Sequence, residues 1–411
     1  MSDIREPLHF LKADILLGRD GPQTEQGGMM NILYTESSPN IGGQGLQAIA
    51  QMLACRENSG IAQKAVMHDI RVTHIPFRNS LHLPSIFALR RLIVAFRPDI
   101  VVCHSGHDSN ITGLARGLLC GRLGRFGIVR QKTYLTAGMK MFSLNNMCDV
   151  VAVPSAEMRA RLIQNSNCRQ PVAVVPPGTD FARLRREAEM ALPQHIEVWL
   201  KSRAPAPVIV QTAMIRPEKG HDFMLRVLHR LKQQGRHFYW LIAGSGRQED
   251  EARLRADIQA LGMEDCVLMC GLLSPVAPLY RVASLMVLPS RNEAFGMAIV
   301  EAAASGVPVM ASFVGGIPSV IQNGLNGTLL PPDDEAAWVD ALKLFFSVPE
   351  YACSMALQAQ NDMESRYSIS GTAERLLTLG KSYRYIRWGR EPEDNFHDEK
   401  VVKHDAFNKA D

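Results

Sequence analysis

Two glutamates eight residues apart, Glu293 and Glu301, stand in the stretch SRNEAFGMAIVEAAASGVPV, and their surroundings say more than their spacing. The apolar run LMVLPS predicts a strand ending at Ser290. A short loop then holds Glu293, and Gly296 lets the chain turn into a helix that runs to Ser305 and is stopped by Gly306 and Pro308. The free amides of Phe295, Gly296 and Met297 at that helix start, with the positive end of the helix dipole, form a cradle for an anion or a hydroxyl. Glu301 lies in AIVEAAAS, which is otherwise nearly all apolar, and a carboxylate in a buried helix needs a partner. A polyhydroxyl ligand such as a ribose supplies one. Upstream, TAMIRPEKGHD puts Arg216 and Lys219 in the loop after the strand VIVQTAMI. Two cations opposite a helix N-terminus suit a diphosphate, the guanidinium gripping oxygens with two bonds and the ammonium adding a point charge. Two glutamates at this spacing also occur in ordinary amphipathic helices, and RPEKG alone also reads as a solvated turn. The combination favours a site.

The first half offers weaker signals. ESSPNIGGQG follows the first strand directly, and Gly42 and Gly43 let the backbone approach a phosphate or a reacting sugar. CHSGHD places His104, His107 and Asp108 after another strand, an incomplete ligand set for a metal. IVRQKTYLTAG, which holds Arg130, Lys132 and Thr133, is basic and follows a strand. Between Asp108 and Asp149 the charged residues are Arg116, Arg122, Arg125, Arg130, Lys132 and Lys140, with no acid. This basic stretch reads either as a solvated face or as a surface for an anionic acceptor or lipid headgroups.

The elements that must position these residues alternate between short apolar runs and amphipathic stretches, as in a parallel sheet with helices on both faces. NILYTE opens the first half as a strand, and GLQAIAQMLACREN reads as its first helix. RVTHIPF, DIVVCHS, VVAVPS and VAVVPPG are later strands, and FALRRLIVAFR is a helix. Residues 183–207 run from an Arg- and Glu-rich helical segment into SRAPAP, whose prolines and small residues read as a linker. The alternation then restarts with VIVQTAMI, HFYWLIAG, CVLMCG, LMVLPS, VPVMAS and GTLLPP. Two doubly wound α/β domains are expected, facing a central cleft, with ligands beyond the carboxyl ends of the strands. The expected division is a mobile extension at 1–28, a first domain at 29–202, a second at 203–362, a helix at 363–388 returning toward the first, and a disordered tail at 389–411.

The 411 residues are 46% hydrophobic, too many for one core, and 45 Lys and Arg against 41 Asp and Glu leave a charge of +4, too small to point to nucleic acid. The eight cysteines have no disulfide or zinc spacing and read as reduced thiols, with Cys266 and Cys270 facing a core. No run approaches the roughly 18 apolar residues of a membrane span, and the first residues carry no secretory signal.

RPEKGH, the turn AGSGRQE and EAFGMAIVEAAASGVPVMASFVGGIPSVIQNGLNGTLLPPDD resemble the carboxyl-terminal half of family-4 retaining glycosyltransferases, which have the GT-B fold. The similarity covers roughly residues 30–385 and is densest over 210–335. Glu293 and Glu301 match the family's Glu-x7-Glu signature. The resemblance implies that Glu293 and the amides of Phe295 to Met297 hold donor-sugar hydroxyls, that Glu301 bonds the ribose, and that Arg216 and Lys219 neutralise the diphosphate. It further implies that the backbone near Leu272 meets the base, that His104 orients acceptor or donor, and that no metal or other cofactor is needed. The implied partners are a nucleotide-sugar donor and a glycan or glycolipid acceptor of lipopolysaccharide or capsule type, at the cytoplasmic face of an anionic membrane.

Four departures from the family pattern stand out. Gly45 occupies the place of a frequent acid, Thr133 that of a sugar-contacting His, and Ser284 that of an Asp before LMVLPS. The passage from ACREN to RVTHIPF is so short that one strand of the first sheet looks missing. The lost strand and Thr133 keep open a second class, a catalytically silent nucleotide-sugar-binding or scaffold protein. An epimerase of the same architecture fits RPEKG less well, and no Gly-x-Gly-x-x-Gly follows the first strand as a Rossmann dehydrogenase requires.

Overall fold

A computed structural model describes residues 31–37, 52–67, 70–133, 141–164 and 166–388. The expected extension at 1–28, the tail at 389–411, and Gly42, Gly43, Gly45 and Lys140 lie outside them. The chain divides into two compact units. The first comprises the described residues up to Val153, Arg159–Val175 and those from Ala373; the second comprises Pro154–Met158 and Pro176–Thr372.

The first unit is built on seven parallel strands, β1 (Ile32–Glu36), β2 (Met52–Cys55), β3 (Arg71–His74), β4 (Ile100–Cys103), β5 (Gly127–Gln131), β6 (Val150–Val153) and β7 (Val172–Val174). Their order is β3-β2-β1-β4-β5-β6-β7. The strand expected to be missing is therefore there. β2 pairs with β1 through Leu33 opposite Met52 and with β3 through Met52 opposite Arg71, inside the segment read as the first helix. Leu53, Ala54 and Cys55 are fully buried. A four-residue apolar run covered on both faces has no alternation and cannot be told from a buried helix by its pattern.

The second unit holds six parallel strands, β8 (Val208–Thr212), β9 (Tyr239–Ala243), β10 (Val267–Gly271), β11 (Leu285–Leu288), β12 (Val309–Ser312) and β13 (Thr328–Leu330), ordered β10-β9-β8-β11-β12-β13. Alternate residues face opposite layers: Val208, Val210, Met286 and Leu288 enter one core cluster, and Ile209, Leu285 and Val287 enter the other. Ser284 takes over a structural task at the start of β11, its Oγ accepting from Val208 N at 3.1 Å.

The chain enters the second unit at Val175/Pro176, ahead of the segment read as a linker. The residues between form two short helices, Phe181–Ala188 and Gln194–Lys201, whose Phe181, Leu184 and Ile196 belong to the second unit's core. The last helix, Ile369–Trp388, begins in the second unit, and its Leu376, Leu377 and Tyr383 are buried in the first with Ile32, Tyr34 and Ile100.

Candidate functional site

In each sheet the winding direction reverses between two neighbouring strands, β1 and β4 in the first unit and β8 and β11 in the second. A doubly wound sheet leaves room for a ligand beyond the carboxyl ends at that point. The residues singled out in the sequence follow these strands.

In the second unit, β8 leads through Arg216 and a 3-10 turn at Pro217–Lys219 to a helix at His221–Gln233. β11 leads through Glu293 to the helix Met297–Ala304, with Gly296 at its N-cap and no side chain capping its amides. The two loops are locked together. Lys219 Nζ donates to Glu293 Oε2 at 2.5 Å, both side chains being mostly buried. Arg291, which the sequence reading passed over, donates from its backbone to Glu218 O at 2.8 Å and from its side chain to Pro217 O. Its guanidinium also forks onto Asp222 at 2.9 and 3.0 Å and reaches Asp333 at 2.9 Å. The Asp222 hydrogen bonds, outweighing partial burial and followed by those to Asp333, raise the guanidinium pKa further. Gly220, at φ 69°, passes so close that a Cβ would sit 2.0 Å from Pro289 O, and a Cβ on Gly315 would sit 1.9 Å from Glu293 O. Gly316 N donates to Glu293 O at 3.0 Å. The Glu293 carbonyl is thus packed against Gly315 and bonded by Gly316, which fixes the backbone that bears its carboxylate.

Glu301 lies one turn into the helix and is largely covered. Burial pushes its carboxyl up to about 7, Tyr280 pulls it back, and Glu187 adds to the rise. Tyr280 Oη stands 3.5 Å from Glu301 Oε2 and 3.0 Å from Thr212 Oγ1. Arg216 is half exposed, 3.8 Å from Glu218. Leu272 is 75% exposed just past β10, and Phe295 is buried edge-on against Tyr367. The charges and amides predicted from the sequence therefore gather at the ends of β8 and β11, with Arg216 and Leu272 more open to solvent.

The first unit carries a buried polar cluster at the ends of β1, β4 and β5. Tyr34 Oη donates to Gln131 Oε1 at 2.5 Å and stands 3.4 Å from His104 Nδ1, while His104 Nε2 is 3.6 Å from Glu36 Oε2. Burial, and then the Arg130 guanidinium, pulls the His104 imidazole down to about 4, so it is neutral at pH 7. Burial and Arg130 also bring the Lys132 ammonium down to about 8. Arg130 is itself buried and donates to Cys103 O and Gln131 O. Thr133 is half-buried at the following position. Glu36, Tyr34 and Gln131 were missed by sequence reasoning; an acid closing an apolar strand was the one available signal.

The structure explains one sequence reading and corrects another. His104, His107 and Asp108 do not converge on one point: Asp108 accepts from His104 N and Ser105 N at 2.9 Å as half of a capping box for the helix Gly106–Gly117, and His107 turns to Ser80. Nor is the stretch from Arg116 to Lys140 one basic surface. Arg116 is buried in an ion pair with Asp149 at 2.5 Å, and Arg130 is buried as described. Each found a partner in the fold that a count of charges does not show.

Residues 206–347 match the family model described as glycosyl transferases group 1, and residues 50–183 match that of glycosyltransferase family 4. Each unit thus contains a stretch that matches a glycosyltransferase family model. Similar curated proteins include the D-inositol 3-phosphate glycosyltransferase of Nocardia farcinica, 30% identical over 58% of this chain and 53% of that protein, and the alpha-D-kanosaminyltransferase of Streptomyces kanamyceticus, 29% identical over 44% and 46%. The chain spans about half the length of the curated relatives it matches. Among solved structures, a Rickettsia africae glycosyltransferase superposes with a TM-score of 0.74 at 18% identity over 86% of this chain and 98% of that one. Anabaena HepE, in complex with UDP and glucose, gives 0.71 at 19% identity over 86% and 100%. With two parallel α/β sheets, these likenesses establish the GT-B fold for the two glycosyltransferase-family domains.

Proposed function

We propose that the protein is a metal-independent glycosyltransferase that moves a sugar from a nucleoside diphosphate sugar to a surface glycan or glycolipid, of lipopolysaccharide or capsule type, with retention of configuration. The observation that carries the reading is the pair of interlocked loops after β8 and β11, which set Lys219 2.5 Å from Glu293 at the start of an uncapped helix that also bears Glu301. On this reading Lys219 and Arg216 neutralise the charge that grows on the diphosphate as its bond to the sugar breaks, work that a divalent ion does elsewhere. Glu293 and the amides of Phe295, Gly296 and Met297 hold the sugar hydroxyls, Glu301 takes the ribose, and the backbone at Leu272 meets the base. The acceptor hydroxyl attacks from the face the leaving group departs, with no protein nucleophile. Neutral His104, with Arg130, Lys132 and Thr133, is assigned to acceptor or sugar, and Gly42 and Gly43 to donor contacts.

The donor class is supported by the UDP and UDP-glucose complexes of HepE, and the acceptor class by the lipopolysaccharide outer core galactosyltransferase WaaB, whose fold is similar at a TM-score of 0.63. Among the described residues no helix is long and apolar enough to cross a membrane. Residence at the inner membrane face is proposed from the acceptor chemistry alone, since Arg116 and Arg130 are buried.

The test is a screen of uridine, guanosine, adenosine and cytidine diphosphate sugars for slow release of the nucleoside diphosphate, read by mass. One donor is expected to be hydrolysed by the wild type and spared by Glu301→Ala. Binding without turnover identifies a scaffold instead, and a folded protein that binds none of the panel defeats the reading.

A further inference from the structure

Glu301 receives a buried chain of hydroxyls that neither sequence motif nor family match assigns. Thr212 is the last residue of β8, and Tyr280 ends the short helix Ala277–Tyr280, whose four residues are all buried. Tyr280 is 2% exposed, with its phenol oxygen 3.0 Å from Thr212 Oγ1 and 3.5 Å from Glu301 Oε2. An ionised carboxylate only accepts, so the phenol must point its proton at Glu301, and Thr212 must in turn donate to the phenol. The direction of the chain follows from its end.

We propose that Tyr280, oriented by Thr212, is a positioning residue for the nucleotide: it keeps Glu301 ionised and aimed so that the carboxylate accepts hydrogen bonds from a vicinal diol such as that of a ribose. This rests on the donor reading above. The second link is longer than an ordinary O–H···O bond, so its main contribution is to orient charge in a covered site. The other charged group facing Glu301 is Glu187 of the helix Phe181–Ala188, which opposes ionisation and is itself held by Arg183 at 2.6 Å. With burial holding the carboxyl near 7, a modest donor decides which form prevails at neutral pH. Without the phenol proton the carboxylate protonates more readily and loses an acceptor site that the diol needs.

Calorimetric titration of the full chain with UDP, GDP, ADP and CDP between pH 6 and pH 9 tests this, comparing wild type, Tyr280→Phe, Thr212→Val and Glu301→Gln. Differences between variants cancel the nucleotide's own ionisation. With the nucleotide that binds, wild-type affinity is expected to fall as pH drops through about 7. Tyr280→Phe should weaken binding about tenfold at pH 7, the size expected for a hydrogen bond to a charged group, move the acid limb to higher pH, and rejoin the wild type near pH 9. Thr212→Val should shift the limb the same way by less, and Glu301→Gln should abolish it. A cooperatively melting Tyr280→Phe with an unmoved limb, or one weakened equally at every pH, overturns the inference while leaving the donor reading intact. If that variant does not fold, the limb of Thr212→Val decides in the same way. No binding of any nucleotide by the wild type overturns both.

Discussion

The two units wind their first six strands in one order, β3-β2-β1-β4-β5-β6 and β10-β9-β8-β11-β12-β13, and set polar groups at the same point of each sheet by different means. In the second unit close backbone approaches add to side-chain pairs such as Lys219–Glu293 and Arg291–Asp222. Gly220 rides against Pro289 O and Gly315 against Glu293 O, so the side chains proposed to do chemistry stand on loops fixed by their backbone as well. In the first unit side chain holds side chain: Tyr34, Gln131, His104 and Glu36 reach one another across three strands and are mostly buried. Loops fixed by backbone contacts leave the uncapped helix start to a ligand, although Lys219 must part from Glu293 to bind it, whereas a cluster held together by its side chains must give up several bonds to make a new one.

Breaking the charged pair of the second unit should have the largest effect. Lys219→Ala removes the proposed stabiliser of the departing diphosphate and is expected to lower donor turnover about 10²–10³-fold, and, by leaving the mostly buried Glu293 carboxylate without the partner that ties the two loops, to cost about 1–3 kcal/mol of stability. Single-turnover release of nucleoside diphosphate, with a thermal melt of the same sample, checks both halves. Next comes the backbone itself. Gly220→Ala places a Cβ where Pro289 O stands and asks a non-glycine residue to hold φ 69°, so a loss of about 3 kcal/mol in stability is expected by chemical denaturation, together with loss of nucleotide binding. A glycine change that cost stability alone would show that the loops need not be locked to bind.

The same contrast decides what was legible in the sequence. Where the signals are local they could be read: Gly296, Glu293 and Glu301 lie in one stretch of 20 residues and Lys219 in RPEKG, whereas the approaches of Gly220 to Pro289 and of Gly315 to Glu293 join distant segments and could not. Side-chain solutions join residues far apart: Tyr34 and Gln131 are 97 positions from each other and Tyr34 and His104 are 70. Nothing local marks such pairs, which is why His104 was found from its place after a strand while Glu36 and Tyr34 were passed over. Arg291 was missed for the same reason, its partners Asp222 and Asp333 lying on other loops. The sheets themselves were legible except at Met52–Cys55, where an apolar run was too short to show its period, at Gly127–Gln131, where Arg130 and Gln131 made a buried strand read as a basic segment, and at Val175, where the crossover into the second unit had no composition signal. Prolines drew the linker reading to SRAPAP, but the helices before it bury Phe181, Leu184 and Ile196 and belong to the second unit.

Glu301 gives a smaller effect whose sign separates function from stability. Its carboxyl is raised in the folded protein from an ordinary 4.5 to about 7, chiefly by burial, so the fold prefers it protonated. Stability drawn from that preference is complete below about 4.5 and is lost as pH rises through 7. Without nucleotide, Glu301→Gln should therefore match the wild type near pH 4.5 and become more stable than it by up to the order of 3 kcal/mol at pH 9. Urea unfolding at pH 4.5, 7 and 9 measures this. Equal stability at all three would mean that the helix carries its carboxylate without strain.

The smallest expected effect tests the first unit. Tyr34→Phe removes one hydroxyl from the buried cluster and leaves Gln131 Oε1 without its 2.5 Å donor and His104 Nδ1 without its 3.4 Å neighbour. An orphaned buried acceptor costs about 1–2 kcal/mol, and relaxation of the Gln131 amide recovers part of it. A stability loss near 1 kcal/mol is expected. Nucleotide affinity, which the proposal assigns mainly to residues of the second unit, should stay near the wild-type value, while the acceptor KM rises because His104, assigned there to acceptor or sugar, is no longer held in one orientation. If nucleotide affinity fell with stability, the two polar clusters would have to be treated as one coupled network, and the contrast between a backbone-built cradle and a side-chain-built one would lose its functional meaning.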